Sequence, residues 1–207
     1  SIGQRTQNPD ATLCFMVQTF GLSVGRGLNH MSVPVQQLSE EYVALSAWRS
    51  TLVLVYALAG AKAEAQQELD RLAARDFADL PQDADWLISL ANVGLGCSVL
   101  RDVPRAARVY QLLLPHAHRG IVVGPGLIFL GGVSRILGML AITQGLDTEA
   151  EGHFLEALAH NTRLGFLPII VLTQQQFASM LLIRRWPGDA QRALRLLEHA
   201  LQTARAL

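Results

Sequence analysis

Apolar residues along this chain recur at helical spacing, and one short pattern returns four times. Ala65, Leu69 and Leu72 stand at i, i+4 and i+7; Ala106, Tyr110 and Leu113, then Ala150, Phe154 and Ala157, then Ala193, Leu197 and Ala200 repeat the spacing. The first members lie 41, 44 and 43 residues apart (65 to 106, 106 to 150, 150 to 193). Five residues before each small anchor stands Gly60, Gly145 or Gly188, with Arg101-Asp102 taking that place in the second copy. Twelve residues before the anchor, two copies carry Val93-Gly94 and Leu137-Gly138. A fixed period of this length is the mark of a repeat architecture.

Each unit reads as two helices joined by a tight turn. The spacing predicts first helices over 45–58, 84–100, 127–144 and 169–185, and second helices over 62–75, 104–114, 147–164 and 189–206. Small anchors let the paired helices approach, and the larger residue one turn later fills the gap. Asp83 and Asp189 are expected to cap helix N-termini, Pro104 suits a first turn, and Leu80-Pro81, Pro115 and Gly165 close helices. Gly120-Ile121-Val122-Val123-Gly124 reads as a loop packed under the next helix. Ala11 to Val24 and Val35 to Tyr42, with a turn at Gly25-Arg26-Gly27, make a degenerate first pair. The expected fold is all-α: a right-handed superhelix of four to five antiparallel helix pairs. It forms one domain over 1–207, divided at 1–43, 44–82, 83–125, 126–166 and 167–207.

Charge separates the two helix sets. Trp86 to Leu100, Ile136 to Leu146 and Ala11 to Gly25 carry no charged residue, whereas second helices carry Glu64, Glu68, Asp70, Arg71 and Arg75, or Arg192, Arg195 and Glu198. In a helix-pair solenoid the neutral layer lines the inner, concave side. Aligning units on their anchors places Ala91, Leu95 and Ser98 on that side, then Gly132, Arg135, Met139 and Ile142, then Gln175, Ala178, Leu182 and Arg185. These residues form the candidate partner or ligand groove. Arg135 and Arg185 are the cations among them. As a pair they can clamp a carboxylate or phosphate through bidentate bonds; the alternative is that both reach bulk water or a helix C-terminus.

Composition narrows the function classes. With 17 basic and 17 acidic residues the net charge is zero, which argues against a nucleic-acid-binding face. Half the residues are hydrophobic and 16% charged, which excludes intrinsic disorder. Cys14 and Cys97 make neither a disulfide framework nor a four-ligand zinc site. A buried, inert thiol is the reading for Cys97. His116-x-His118 lacks further ligands nearby. His153 and His160, with Glu149 and Glu156, read as a solvated helix face, a surface metal site being the rival. Gly124-Pro125-Gly126 followed by Gly131-Gly132 lacks the lysine and flanking elements of a phosphate loop. Leu164 to Ile183 is a 20-residue uncharged stretch, but Gly165, Pro168 and Gln174-Gln175-Gln176 favour a buried helix over a membrane span. The chain opens on Ser1 with no leader pattern, and is expected to be a processed chain or a piece of a longer one.

The anchors resemble tetratricopeptide repeats, with a Leu-Gly pair, a later Ala-x3-Phe and a late proline, although the period is longer than roughly 34 residues. Phe77-Ala-Asp-Leu-Pro-Gln-Asp-Ala-Asp-Trp-Leu and Arg105-Ala-Ala-Arg-Val-Tyr-Gln-Leu-Leu-Leu-Pro are similar to the C-terminal helical region of large bacterial signal-transduction ATPases, linked to nucleotide-cyclase or LuxR-type DNA-binding domains. Leu137-Gly-Met-Leu-Ala, Glu149-Ala-Glu-Gly-His-Phe-Leu-Glu-Ala-Leu and Leu181-Leu-Ile-Arg-Arg-Trp-Pro-Gly-Asp-Ala-Gln-Arg-Ala extend the likeness over roughly residues 40 to 207. The resemblance implies a cytoplasmic interaction or sensor arm without catalytic residues or cofactor. Its expected partners are a protein or peptide, another domain of the same polypeptide, or a small effector. Self-association fits the high apolar content; direct nucleic-acid or membrane contact does not. The alternative is a free-standing helical-repeat receptor for a peptide or small apolar ligand. An enzyme needs convergent titratable groups that the inner helices barely offer.

Overall fold

Four backbone turns set the rhythm of the fold. Gly60, Arg101, Gly145 and Gly188 all take left-handed φ values, between 58° and 85°. Arg101 and Gly145 end their helices as left-handed C-caps, whereas in the last unit Arg185 ends one helix and Gly188 precedes the next. The four fall where the sequence repeats, five residues before Ala65, Ala106, Ala150 and Ala193. The computed structural model of the protein describes residues 10–23, 31–42, 46–123 and 126–206; the expected turn at Gly25-Arg26-Gly27 lies outside them.

The described residues are mostly helical. Helices α1 (Asp10–Ser23) and α2 (Ser32–Glu41) precede three close pairs or part-pairs: α3 (Ser46–Leu58) with α4 (Lys62–Ala73), α5 (Trp86–Leu100) with α6 (Val103–Leu113), and α7 (Val133–Gln144) with α8 (Asp147–Arg163). A last pair follows, α9 (Leu167–Arg184) with α10 (Asp189–Arg205). Each expected helix from residue 45 onward has a counterpart. Of the expected caps, Asp83 instead braces the turn before α5 by accepting the Asp85 amide. The Trp186 amide donates to Asp189, and Asp102 caps α6 by accepting the Arg105 amide.

Two expectations for residues 120–132 are corrected. Gly120–Val123 is a strand, β1, rather than a loop, and Ile128–Gly132 is its antiparallel partner β2 rather than the opening of a helix. The β-branched run Ile121-Val122-Val123 favours the extended state. Gly131, at φ 94°, cannot sit inside a helix, and a Cβ there would meet Ile169 Cγ2 at 2.6 Å. The helix therefore starts only at Val133.

Packing follows the anchors. Ala65, Ala106, Ala150 and Ala193 are fully buried, as are Leu69 and Phe154, with Tyr110 nearly so. The glycines of the Val-Gly and Leu-Gly pairs are close-approach points: a Cβ on Gly138 would lie 3.1 Å from the Phe154 ring, and one on Gly94 3.2 Å from Leu140. Phe154 in turn stacks on Phe177, with centroids 5.5 Å apart. Helix α3 packs on α5 as well as on α4, α5 packs on α7 as well as on α6, and α6 and α8 pack on the first helix of the following pair. One large core runs from Val53 to Ala193, and a second joins α1, α2 and α3 through Phe20, Val35, Trp48 and Leu52.

A charged cluster ties α8 to α9 and α10. The buried Arg184 guanidinium donates to both Asp189 oxygens at 2.8 and 2.9 Å and to Glu151 at 2.7 Å, and Glu151 also accepts from Arg192. The hydrogen bond from Arg192 is the foremost cause that holds the Glu151 carboxyl below its ordinary range, and that from Arg184 does the same for Asp189. Among the described residues no helix is long and apolar enough to cross a membrane; the uncharged stretch ending at Ile183 is interrupted by Gly165, at φ 66°, and buries Ile169, Ile170, Phe177 and Leu181.

Candidate ligand cavity

The largely apolar faces of the first helices leave a space between them. Ile88, Ala91, Leu95 and Val99 recur at helical spacing on one side of α5 and line a cavity of about 240 Å³. Leu54 and Leu58 of α3 form a second wall; Arg135, Ile136 and Met139 of α7 form a third. Leu172 and Gln176 of α9 lie beyond them, and Ile121, Leu130 and Phe20 complete the lining. Leu58 and Val99, 40% and 41% exposed, form the rim. From Ile88 to Val99 the α5 wall runs eleven residues, about 16 Å at helical rise, so the space is elongated.

Among the described residues three polar side chains line it: Asn92, Gln176 and Arg135. Asn92 is held by a 2.9 Å bond from its Nδ2 to Thr51 Oγ1. Arg135 is 3% exposed. Its guanidinium donates to Gln176 Oε1 at 3.1 Å and to the Leu130 carbonyl at 3.3 Å, both neutral acceptors. The Nε–H is buried without a partner. Burial alone pushes the guanidinium down to about 10, which leaves it cationic at neutral pH with no carboxylate beside it. Arg135 is also the third residue of α7, where the helix dipole disfavours a cation. An isolated buried charge of this kind is costly unless an anion joins it.

The sequence-predicted groove residues are divided by the structure. Ala91, Leu95, Arg135 and Met139 come together in the cavity lining. Ser98, Ile142, Gln175, Ala178, Leu182 and Arg185 are not among the lining residues. Ser98 bonds back to the Gly94 carbonyl, Ala178 is buried in the core, and Gln175 and Leu182 face outward. Arg185 is exposed at the C-terminus of α9 in a left-handed turn, as the alternative reading had it, and no Arg135–Arg185 clamp forms. Arg135, conversely, is far from bulk water. Anchor alignment failed in the last unit because α9 contributes Leu172 and Gln176, six and two residues before Ala178, the equivalent of Ala91 and Arg135. The visible polar signal in α9 was the run Gln174-Gln175-Gln176, which does not single out Gln176. Phe20, Ile121 and Leu130 come from outside the repeated pattern, and no alignment of units could supply them.

The other candidates resolve into packing. His153 is part-buried, its Nε2 2.9 Å from the Tyr110 hydroxyl, and its ring is pushed below the ordinary histidine value by desolvation. The His160 ring stacks on Phe129. The expected solvated face for these two is therefore corrected: they fill the seams between α8, α6 and the hairpin. Among the described residues no group of three or more His, Cys, Asp or Glu is placed to hold a metal ion. At Gly131-Gly132 the first amides leading into α7 are occupied, Gly132 N–H by Asn161 Oδ1 and Val133 N–H by the Arg119 carbonyl. Cys97 is fully buried, and burial pushes its thiol up to about 12.

Fold and cavity together define a mostly helical protein with an elongated apolar cavity and one buried cation in its wall. No protein-family model, curated protein or solved structure matches the chain.

Proposed function

We propose that the chain is a non-catalytic interaction or sensor module, a tetratricopeptide-like right-handed superhelix within a multidomain bacterial signalling or transcriptional regulator. The observation that carries this reading is the cavity: apolar walls from successive first helices around one buried, anion-free arginine. Arg135 is the one titratable group among the described lining residues, which suits binding rather than acid–base or nucleophilic chemistry. The superhelix is supported by the recurrence of left-handed turns at Gly60, Arg101, Gly145 and Gly188 and by the packing of each pair on the next. A partner domain is supported by α10. Leu197 is 39% exposed, whereas its repeat counterparts Leu69, Tyr110 and Phe154 are buried, and Leu194 and Leu201 extend an apolar stripe beside it. Occupation of the cavity would shift the equilibrium between arm and partner domain, which is how binding becomes regulation.

The test is the size of the native polypeptide, by immunoblot of source-cell lysate with an antibody to this segment. The reading expects a band far above 22.6 kDa. A band at that size contradicts it and leaves a free-standing receptor using the same cavity.

A further inference from the structure

Arg135 offers a guanidinium with five N–H donors, of which one goes to Gln176 and one to Leu130, both neutral. It stands in the wall of a cavity that is otherwise aliphatic apart from Phe20, Asn92 and Gln176, and no acidic side chain is among the described lining residues. A planar guanidinium matches a planar carboxylate through paired hydrogen bonds, and a single cation balances a single negative charge. The space beyond it is largely apolar and elongated, lined along α5 from Ile88 to Val99, with Val99 and Leu58 of α3 at the rim. The α5 wall from Ile88 to Val99, about 16 Å at helical rise, gives room for a tail of medium length.

We propose that the cavity binds a medium-length linear monocarboxylate, its head on Arg135 and its tail running between α3, α5 and α7 toward Leu58 and Val99. This deepens the reading of the chain as a ligand-responsive module and rests on it. The bound anion supplies the countercharge that the fold itself does not, while the walls exclude water from the tail.

The test is isothermal titration of the intact chain with octanoate, octanol, octylamine and octyl phosphate, each kept below its micellar concentration. The expected result is one site for octanoate, at least about tenfold weaker binding of octanol, and no binding of octylamine, as loss of a charge-assisted bond requires. Arg135→Met should weaken octanoate by about ten- to a hundredfold and leave octanol unchanged or tighter. Octanol binding as well as octanoate, or octanoate unaffected by Arg135→Met, overturns the proposal. Tighter binding of octyl phosphate overturns the carboxylate and points to a phosphate head. Should Arg135→Met not fold, the selectivity of the unaltered protein decides, and Ala91→Leu, which fills the space from the α5 wall, should abolish octanoate binding. The immunoblot is independent: a band at 22.6 kDa sinks the regulator reading and leaves this site standing, whereas failed titrations sink the site alone.

Discussion

The seam between Gly138 and Phe154 tests whether the repeat positions pack as described. Phe154 is fully buried and stacked on Phe177, so Phe154→Ala removes a ring with no solvent contact. Such truncations cost about 3–5 kcal/mol, here about 4, because the ring–ring contact is lost with the burial. With a urea m-value of about 2.5 kcal/mol per M, the unfolding midpoint falls by about 1.6 M. Gly138→Ala acts through the same ring. Its new methyl would lie 3.1–3.2 Å from three atoms of Phe154. That overpacking costs about 1–3 kcal/mol, and the better helix propensity of alanine returns about 1, for a net loss of about 1. Once Phe154 is alanine the obstruction is gone, so the same substitution should stabilise by about 1 kcal/mol. The assay is a double-mutant cycle by urea unfolding followed by circular dichroism. The effect of Gly138→Ala must change sign between the two backgrounds, with a coupling of about 2 kcal/mol. Equal effects in both backgrounds would refute the close approach.

Three further predictions follow from the caps, the charges and the thiol. Arg101 holds a left-handed turn that three other units give to glycine, so Arg101→Gly should stabilise by about 0.5–1 kcal/mol and Gly145→Ala should destabilise by about 1, both read from urea midpoints. His153, Glu151 and Asp189 all have folded values below their ordinary ones. Their stabilising contribution is present above the unfolded values and lost as pH falls, first below about 6.5 for His153 and then below about 4 for the carboxyls. Urea midpoints should therefore decline from pH 7 through 5 to 3.5, and Asp189→Asn should flatten the last step; a midpoint rising over that range contradicts the account. Cys97, buried and pushed up to about 12, should resist an aromatic disulfide reagent at pH 8 until the chain unfolds, whereas Cys14 is partly exposed. Labelling of both thiols at one rate, by mass spectrometry, would contradict the burial.

The helices from residue 45 onward were legible because two local rules coincide in three of the four units: a glycine tolerant of left-handed backbone, then a small anchor with a large residue one turn on. The second unit keeps the anchor with Arg101 in the glycine's place. Neither rule depends on distant contacts. The hairpin at 120–132 was not legible. Ile128-Phe129-Leu130 continues an apolar run into α7, and what breaks the helix is Gly131, whose conformation answers to Ile169 from a later unit. The cavity was legible in part for the same reason. Positions at fixed distance from an anchor share a face only while successive first helices keep one orientation, and α9 departs from it. Arg135 was visible as a lone cation on an apolar helix, but the lack of an ion pair to it among the described residues is a property of packing that composition cannot carry.

The most direct measurement is a crystal structure of the intact chain grown with octanoate. The account predicts the carboxylate within hydrogen-bond distance of the Arg135 guanidinium and the tail along Leu95 and Met139 toward the rim at Leu58 and Val99. An empty cavity beside a saturating ligand, or a carboxylate bound elsewhere with Arg135 still bonded only to Gln176 and Leu130, would contradict it.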